Sequence, residues 1–134
     1  MDELNEIPAG FNNNIIWNIG HLISAQAGVC YARANSPVPI KDDYFQRYRS
    51  GTKPERPVDL QEIQEIKELL ITSANQLEND YKAGVLSDYT AWTSRYDVEI
   101  TSIEDAIKFI LFHEGLHQGY VLAQKRLVKA KANA

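Results

Sequence analysis

Two histidines four residues apart, His113 and His117, stand in an apolar helical pattern near the end of a 134-residue chain that holds three histidines in all. On an α-helix such residues project from one face a turn apart, their Cβ atoms about 5–6 Å from each other. Burying two unpartnered imidazoles side by side is unfavourable, because each ring must find hydrogen-bond partners in an apolar setting. One shared metal ion satisfies both. The third histidine, His21, lies in an earlier apolar helical pattern. A lone histidine of this kind more often packs in the core, bonded to a nearby carbonyl, so it is the trio that points to a metal. The fold that answers this constraint is a bundle that carries His21 to the His113–His117 pair.

The rest of the chain supplies the helices. Residues 2–7 read as a short helix or the last turn of one, broken by Pro8-Ala9-Gly10. Asn12, Asn13 and Asn14 are N-cap candidates for a long helix over about 13–33, with Ile15, Ile19, Leu22, Gln26 and Val29 at helical steps. Residues 36–58 form a long crossover with a short helix near 42–48, the kind of ordered loop that covers a pocket. Asp59, followed by Glu62, caps a second long helix, whose stripe is Ile63, Ile66, Leu70, Ala74, Leu77 and Tyr81, and Gly84 sits at its C′ position. Residues 85–101 carry Tyr89, Trp92 and Tyr96, an aromatic density that predicts a loop packed onto the bundle. Within it Val98–Thr101 could run extended, but an isolated strand has no pairing partner. The last helix starts at Thr101 or Ser102 and runs past Leu127. Gly115 and Gly119 inside it each cost about 1 kcal/mol against alanine and, one turn apart, leave room for another helix or a substrate. The expectation is one all-α domain over 1–134, an up-down helical bundle with three long helices.

Composition removes several classes of function. The net charge is −4 with a pI near 5.3, and no basic cluster precedes the final turns. Lys125, Arg126, Lys129 and Lys131 crowd a helix C-terminus, where cations complement the macrodipole, so no nucleic acid is expected as partner. No apolar run nears the roughly 20 residues of a membrane span and no signal peptide opens the chain, which makes a cytoplasmic location the expectation. The one cysteine, Cys30, excludes an intrachain disulfide. It lies roughly 13 Å along the helix axis from His21, too far to share a coordination shell, and is read as buried packing.

Neutral imidazole suits zinc, nickel, copper or iron, and three protein nitrogens leave a coordination position open, as in catalytic rather than structural sites. Such a position can activate water or hold a thiolate. His113-Glu114-Gly115-Leu116-His117 also fits the H-E-x-x-H pattern of zinc proteases. The 17 residues after His117 contain no His, Asp or Glu, however, so a third ligand must lie upstream, where His21 fits. Glu114, about 60° round the helix from His117, has two readings: a general base and candidate catalytic residue, or a surface or outer carboxylate. Trp17, one turn before His21, is core or substrate wall. Gln118 and Tyr120 are substrate contacts or packing.

These residues give the chain a family likeness. The run Asn13-Asn14-Ile15-Ile16-Trp17-Asn18-Ile19-Gly20-His21-Leu22 resembles the first-ligand signature of the DinB-like superfamily, the DinB/YfiT-like metalloenzymes, in which a Trp precedes a Gly-His-apolar step. His113 to Gly119 resembles its second signature, paired histidines in the last helix. The resemblance implies an antiparallel four-helix bundle with a long crossover, often a homodimer, holding zinc or nickel on His21, His113 and His117. Characterised relatives include transferases dependent on bacillithiol or mycothiol and a maleylpyruvate isomerase, in which the metal activates a low-molecular-weight thiol. It therefore implies a metal-dependent enzyme, a thiol S-transferase or related hydrolase acting on a small-molecule thiol and an electrophilic substrate. The alternative is a non-catalytic stress-linked dimerisation or binding module with a structural metal or none. Relatives carry a full helix ahead of the segment that begins here, so the first helix is expected to be short or missing. The apolar groove this leaves, several hundred Å² in extent, is expected to be covered in a dimer.

Overall fold

Asn14 opens the first long helix: its backbone is extended and its side-chain oxygen accepts the Trp17 N–H at 2.9 Å, which satisfies an orphan donor of the first turn. In the computed structural model, which describes residues 1–134, this helix follows a single turn, α1 (Asp2–Asn5), and is α2 (Ile15–Gln26). It continues through a π turn (Ala27–Tyr31) and a 3₁₀ turn (Ala32–Ala34), then stops at Asn35 in the left-handed conformation. The remaining elements are α3 (Asp42–Tyr48), α4 (Leu60–Lys82), β1 (Trp92–Thr93), β2 (Glu99–Ile100) and α5 (Ile103–Ala132). The caps are those the sequence marks: Asp59 accepts the Glu62 N–H at 2.8 Å, Ser102 accepts the Asp105 N–H at 3.2 Å, and Gly84 takes a positive φ. The protein is an all-α helical bundle with a minimal hairpin. No helix is long and apolar enough to cross a membrane.

The helix α2 is the axis of the bundle. It buries residues on almost every side, Ile15, Ile16, Trp17, Ile23 and the polar Asn18, His21, Ser24 and Gln26 among them, as a helix surrounded by protein must. Helices α1, α3, α4 and α5 all pack on it. One apolar cluster gathers Ile16, Ile23, Tyr48, Val58, Ile63 and Ile66; a second gathers Cys30, Tyr31, Leu86, Ile100, Ile103 and Ile110 towards the hairpin. At about 1.5–3 kcal/mol for each fully buried large apolar side chain, these two clusters dominate what holds the helices together.

Three features depart from expectation. Only Ile63 and Ile66 of the α4 stripe are fully buried, with Leu77 partly so; Leu70, Ala74 and Tyr81 stay exposed, as does Leu111 on α5. The Tyr81 hydroxyl donates to Glu104 at 3.2 Å, tying the end of α4 to the start of α5. Next, the extended piece at Glu99–Ile100 does find a partner, because Trp92–Thr93 returns antiparallel beside it around a turn with Asp97 at positive φ. That pairing is not local enough to be read from either segment alone. Lastly, Gly115 and Gly119 approach nothing: a Cβ at either would meet no atom within 4 Å. Close approach occurs instead at Gly20, where a Cβ would stand 2.6 Å from the Tyr48 ring.

The two connections behave as anticipated. Phe45, Arg49, Ser50 and Gly51 of the crossover line the main cavity. In the second connection the Tyr89 hydroxyl donates to the Val29 carbonyl at 2.8 Å and receives the Trp92 Nε1–H at 2.9 Å, and Trp92 and Tyr96 lie against Phe109. Since Tyr48 packs over Gly20, Gly20→Ala is expected to destabilise the protein by about 1–3 kcal/mol, read as a lower urea midpoint. A variant as stable as the parent would mean that this ring gives way without cost.

Candidate metal centre

His21 leaves α2 and His113 and His117 leave α5, and one ring nitrogen from each lies within 4.8 Å of the others. Two of the three tautomers are set by hydrogen bonds. His21 Nδ1 lies 2.7 Å from the Tyr48 carbonyl, which can only accept, so Nδ1 carries the proton and Nε2 is a bare lone pair. His117 Nδ1 lies 2.7 Å from Asn18 Oδ1. The orientation of that amide is itself fixed, because Asn18 Nδ2 donates to the Asn14 carbonyl at 2.9 Å. Gln124 adds its Oε1 as a further acceptor for Nδ2 at 3.3 Å, while its own Nε2 donates to the Asn13 carbonyl at 3.1 Å. His117 therefore also presents a bare Nε2.

His113 Nδ1 is buried without a partner, so this ring can carry its proton on Nε2 and donate it to the bare His21 Nε2, or both rings can turn a lone pair to one ion. His21 Nε2 and His113 Nε2 are 3.3 Å apart. Two nitrogens held about 2.0–2.1 Å from one tetrahedral ion stand roughly 3.3–3.4 Å apart, so the spacing suits a shared ion. Burial, with the neighbouring His117 and His21 rings and the Arg95 charge adding to it, drives the His113 pKa down to about 3. Burial and His21 bring His117 down to about 4, and burial lowers His21 as well. All three rings are thus neutral at pH 7, the form that ligates. The residues present fit a divalent ion.

The centre is not sealed. It opens on a cavity of about 1020 Å³ bounded by α2, the crossover, the hairpin and α5. Trp17 is buried, stacks on the His21 ring at 4.9 Å and 7° between planes, and also reaches the cavity, so it is core and wall at once. Tyr120 lines the same cavity, 5.8 Å from the His117 ring and edge-on to Phe11. Glu114 is not brought into this group. One position beyond His113 turns 100° round the helix, which leaves its side chain exposed and outside the cavity wall. The general-base reading has no geometry here, and Gln118 is likewise exposed and off the wall. Cys30 is fully buried in the second apolar cluster, its thiol pushed up to about 12 by burial, which leaves it inert packing.

Asn18 and Gln124, both wholly buried, are the site residues that sequence reasoning passes over. Their signal was available: amides on the apolar faces of helices need partners, as buried histidines do.

An all-helical bundle with three imidazoles of two helices converging beside an open cavity defines a class of protein able to hold a divalent metal ion. A family model described as the DinB superfamily matches residues 1–121, which include all three histidines. The chain belongs to the DinB superfamily. No curated protein matches it. Because Asn18 orients His117, Asn18→Ala is expected to weaken metal binding by about 10–100-fold, measured by competition with a chromophoric chelator. Unchanged affinity in a variant with the parent's circular dichroism would show that packing alone holds the ring.

Proposed function

We propose that this chain is a metal-dependent enzyme that uses a zinc or nickel ion on His21, His113 and His117 to activate a small thiol for transfer to an electrophile, with a related hydrolase reaction as the neighbouring possibility for the same open position. The observation that carries this reading is the pairing of a three-nitrogen group with a large open cavity: structural metal sites are closed by four protein ligands, whereas catalytic ones keep a place for substrate. A bound divalent ion supplies Lewis acidity, which lowers the pKa of a thiol or water at that place towards neutrality.

The chain's own residues do the rest. The Tyr48 carbonyl and the Asn18 amide hold two of the imidazoles in the ligating tautomer before anything binds, so little reorganisation remains. Trp17 stacked on His21 prevents that ring from tilting. Phe109, Leu116 and Tyr120 give the cavity an apolar wall next to the histidines, which keeps water from competing with the thiol. No side chain near the ligands is placed as a strong base, which suits a thiol whose proton is lost to solvent.

The protein purified without chelator is expected to hold about one divalent ion per chain, and His117→Ala to lose it. Cobalt-substituted protein should develop a thiolate charge-transfer band with bacillithiol, and transfer to an electrophile panel should vanish after metal stripping. Occupancy below about 0.2 per chain, or occupancy untouched by His117→Ala, would remove the reading.

The same reading makes the protein a cytoplasmic homodimer. Leu70, Ile71 and Tyr81 of α4 and Leu111 of α5 are exposed apolar side chains, and a second copy is the occupant that supplies a matching face. Sedimentation equilibrium is expected to return twice the 15.2 kDa chain mass. A monomer at micromolar concentration would exclude this.

A further inference from the structure

The chain has more acidic than basic residues, 18 Asp and Glu against 14 Lys and Arg, yet not one carboxylate lines the large cavity. Three arginines do: Arg33 from the 3₁₀ turn that follows α2, Arg49 from the crossover and Arg95 from the hairpin. None of them forms an ion pair. Arg47 and Arg56, outside this cavity, show the contrast, since both form ion pairs with Glu62. Each cavity arginine is steadied by an uncharged partner instead. Arg95 Nη2 donates to Ser50 Oγ at 2.8 Å, Arg49 Nε donates to Gln46 Oε1 at 2.9 Å, and the Arg33 guanidinium lies over the Trp92 ring at 4.9 Å. Held in place but not neutralised, a guanidinium keeps donors free for a planar or tetrahedral oxyanion.

We propose that Arg33, Arg49 and Arg95 form an anion-recognition rim, so that the molecule admitted to the three-histidine centre is a small organic anion, carboxylate or phosphate, with its apolar body against Phe45, Trp92 and Phe109. Three elements far apart in sequence each contribute one cation to the same mouth, and the acidic residues elsewhere on the surface repel anions from other approaches. The rim selects by charge; the histidines act on what it admits. The specificity arginines touch the ligand's anionic group and not the reacting atoms.

The test compares mercaptosuccinate with thioglycerol, thiols of similar reach that differ in charge, on zinc-loaded protein at low salt by calorimetry. Mercaptosuccinate is expected to bind at least about tenfold tighter. The triple variant Arg33→Gln/Arg49→Gln/Arg95→Gln should erase the difference with zinc content unchanged, Arg95→Gln alone should reduce it, and Arg126→Gln, outside the cavity, should leave it intact. Equal binding of the two thiols, or a preference that survives the triple variant, overturns the rim. The thiol comparison rests on the function proposed above, so succinate is titrated into metal-free protein beside it. Arginine-dependent succinate binding without thiol binding retires the thiol reading and keeps the rim. Succinate binding that is absent, or equal in the triple variant, removes the rim whatever zinc does. Benzoate and phenyl phosphate, each against benzyl alcohol, then show which oxyanion is preferred; no preference for either anion also counts against the rim.

Discussion

Two imidazoles from one helix meeting a third from another, in a space that most of their carbon surface shares with apolar side chains, is the arrangement on which the rest of this structure depends. Buried polar rings are costly unless every nitrogen has a partner. Here the partners come in two layers, and His113 Nδ1 alone is left buried without one. The inner nitrogens face each other across a gap suited to a divalent ion, and the outer nitrogens of His21 and His117 end on a backbone carbonyl and an amide. The helix that carries His21 must then be surrounded on nearly every side, which explains why α2 is central and why the other helices are arranged about it.

The amide network gives this arrangement its rigidity. Asn13, Asn14, Asn18 and Gln124 link the start of α2 to the far half of α5, and the amides of Asn14, Asn18 and Gln124 are each oriented by a backbone carbonyl that accepts from their nitrogen. An amide network of this kind favours one register of two helices over its neighbours, because a slip of one turn would strand several donors. The cap residue Asn14 serves both ends of this logic: its side chain starts the helix and its carbonyl orients Asn18. Local helix formation and ligand orientation are thus coupled through a few residues.

The cavity is what leaves the histidine cluster open to a small molecule. Its walls come from the two connections as much as from the helices, and the connections are held by aromatic packing and a handful of hydrogen bonds, not by regular structure. The π turn of α2 adds to this, since it carries Gly28 and Val29 into the wall where an uninterrupted α-helix would place them differently. Glu114 illustrates the opposite case. The H-E-x-x-H spacing puts it beside the ligands in sequence, but the 100° step of the helix carries it out of the cavity.

What the sequence determined by itself was everything whose cause is local. Capping residues, helical periodicity and the i, i+4 histidine pair depend on neighbours within a turn or two, so the helices, their ends and the histidine trio were legible in it, the trio with help from a family likeness. Tertiary structure alone decided which polar residues would support the ligands and which cations would face the cavity. Asn18 and His117 are 99 positions apart, and Arg33, Arg49 and Arg95 lie on three different segments. It also decided that Trp92–Thr93 pairs with Glu99–Ile100, and that Leu70 and Tyr81 remain uncovered. Such outcomes turn on how helices and loops are rotated against one another, a choice made by the summed burial of the whole core and invisible in any single stretch of chain.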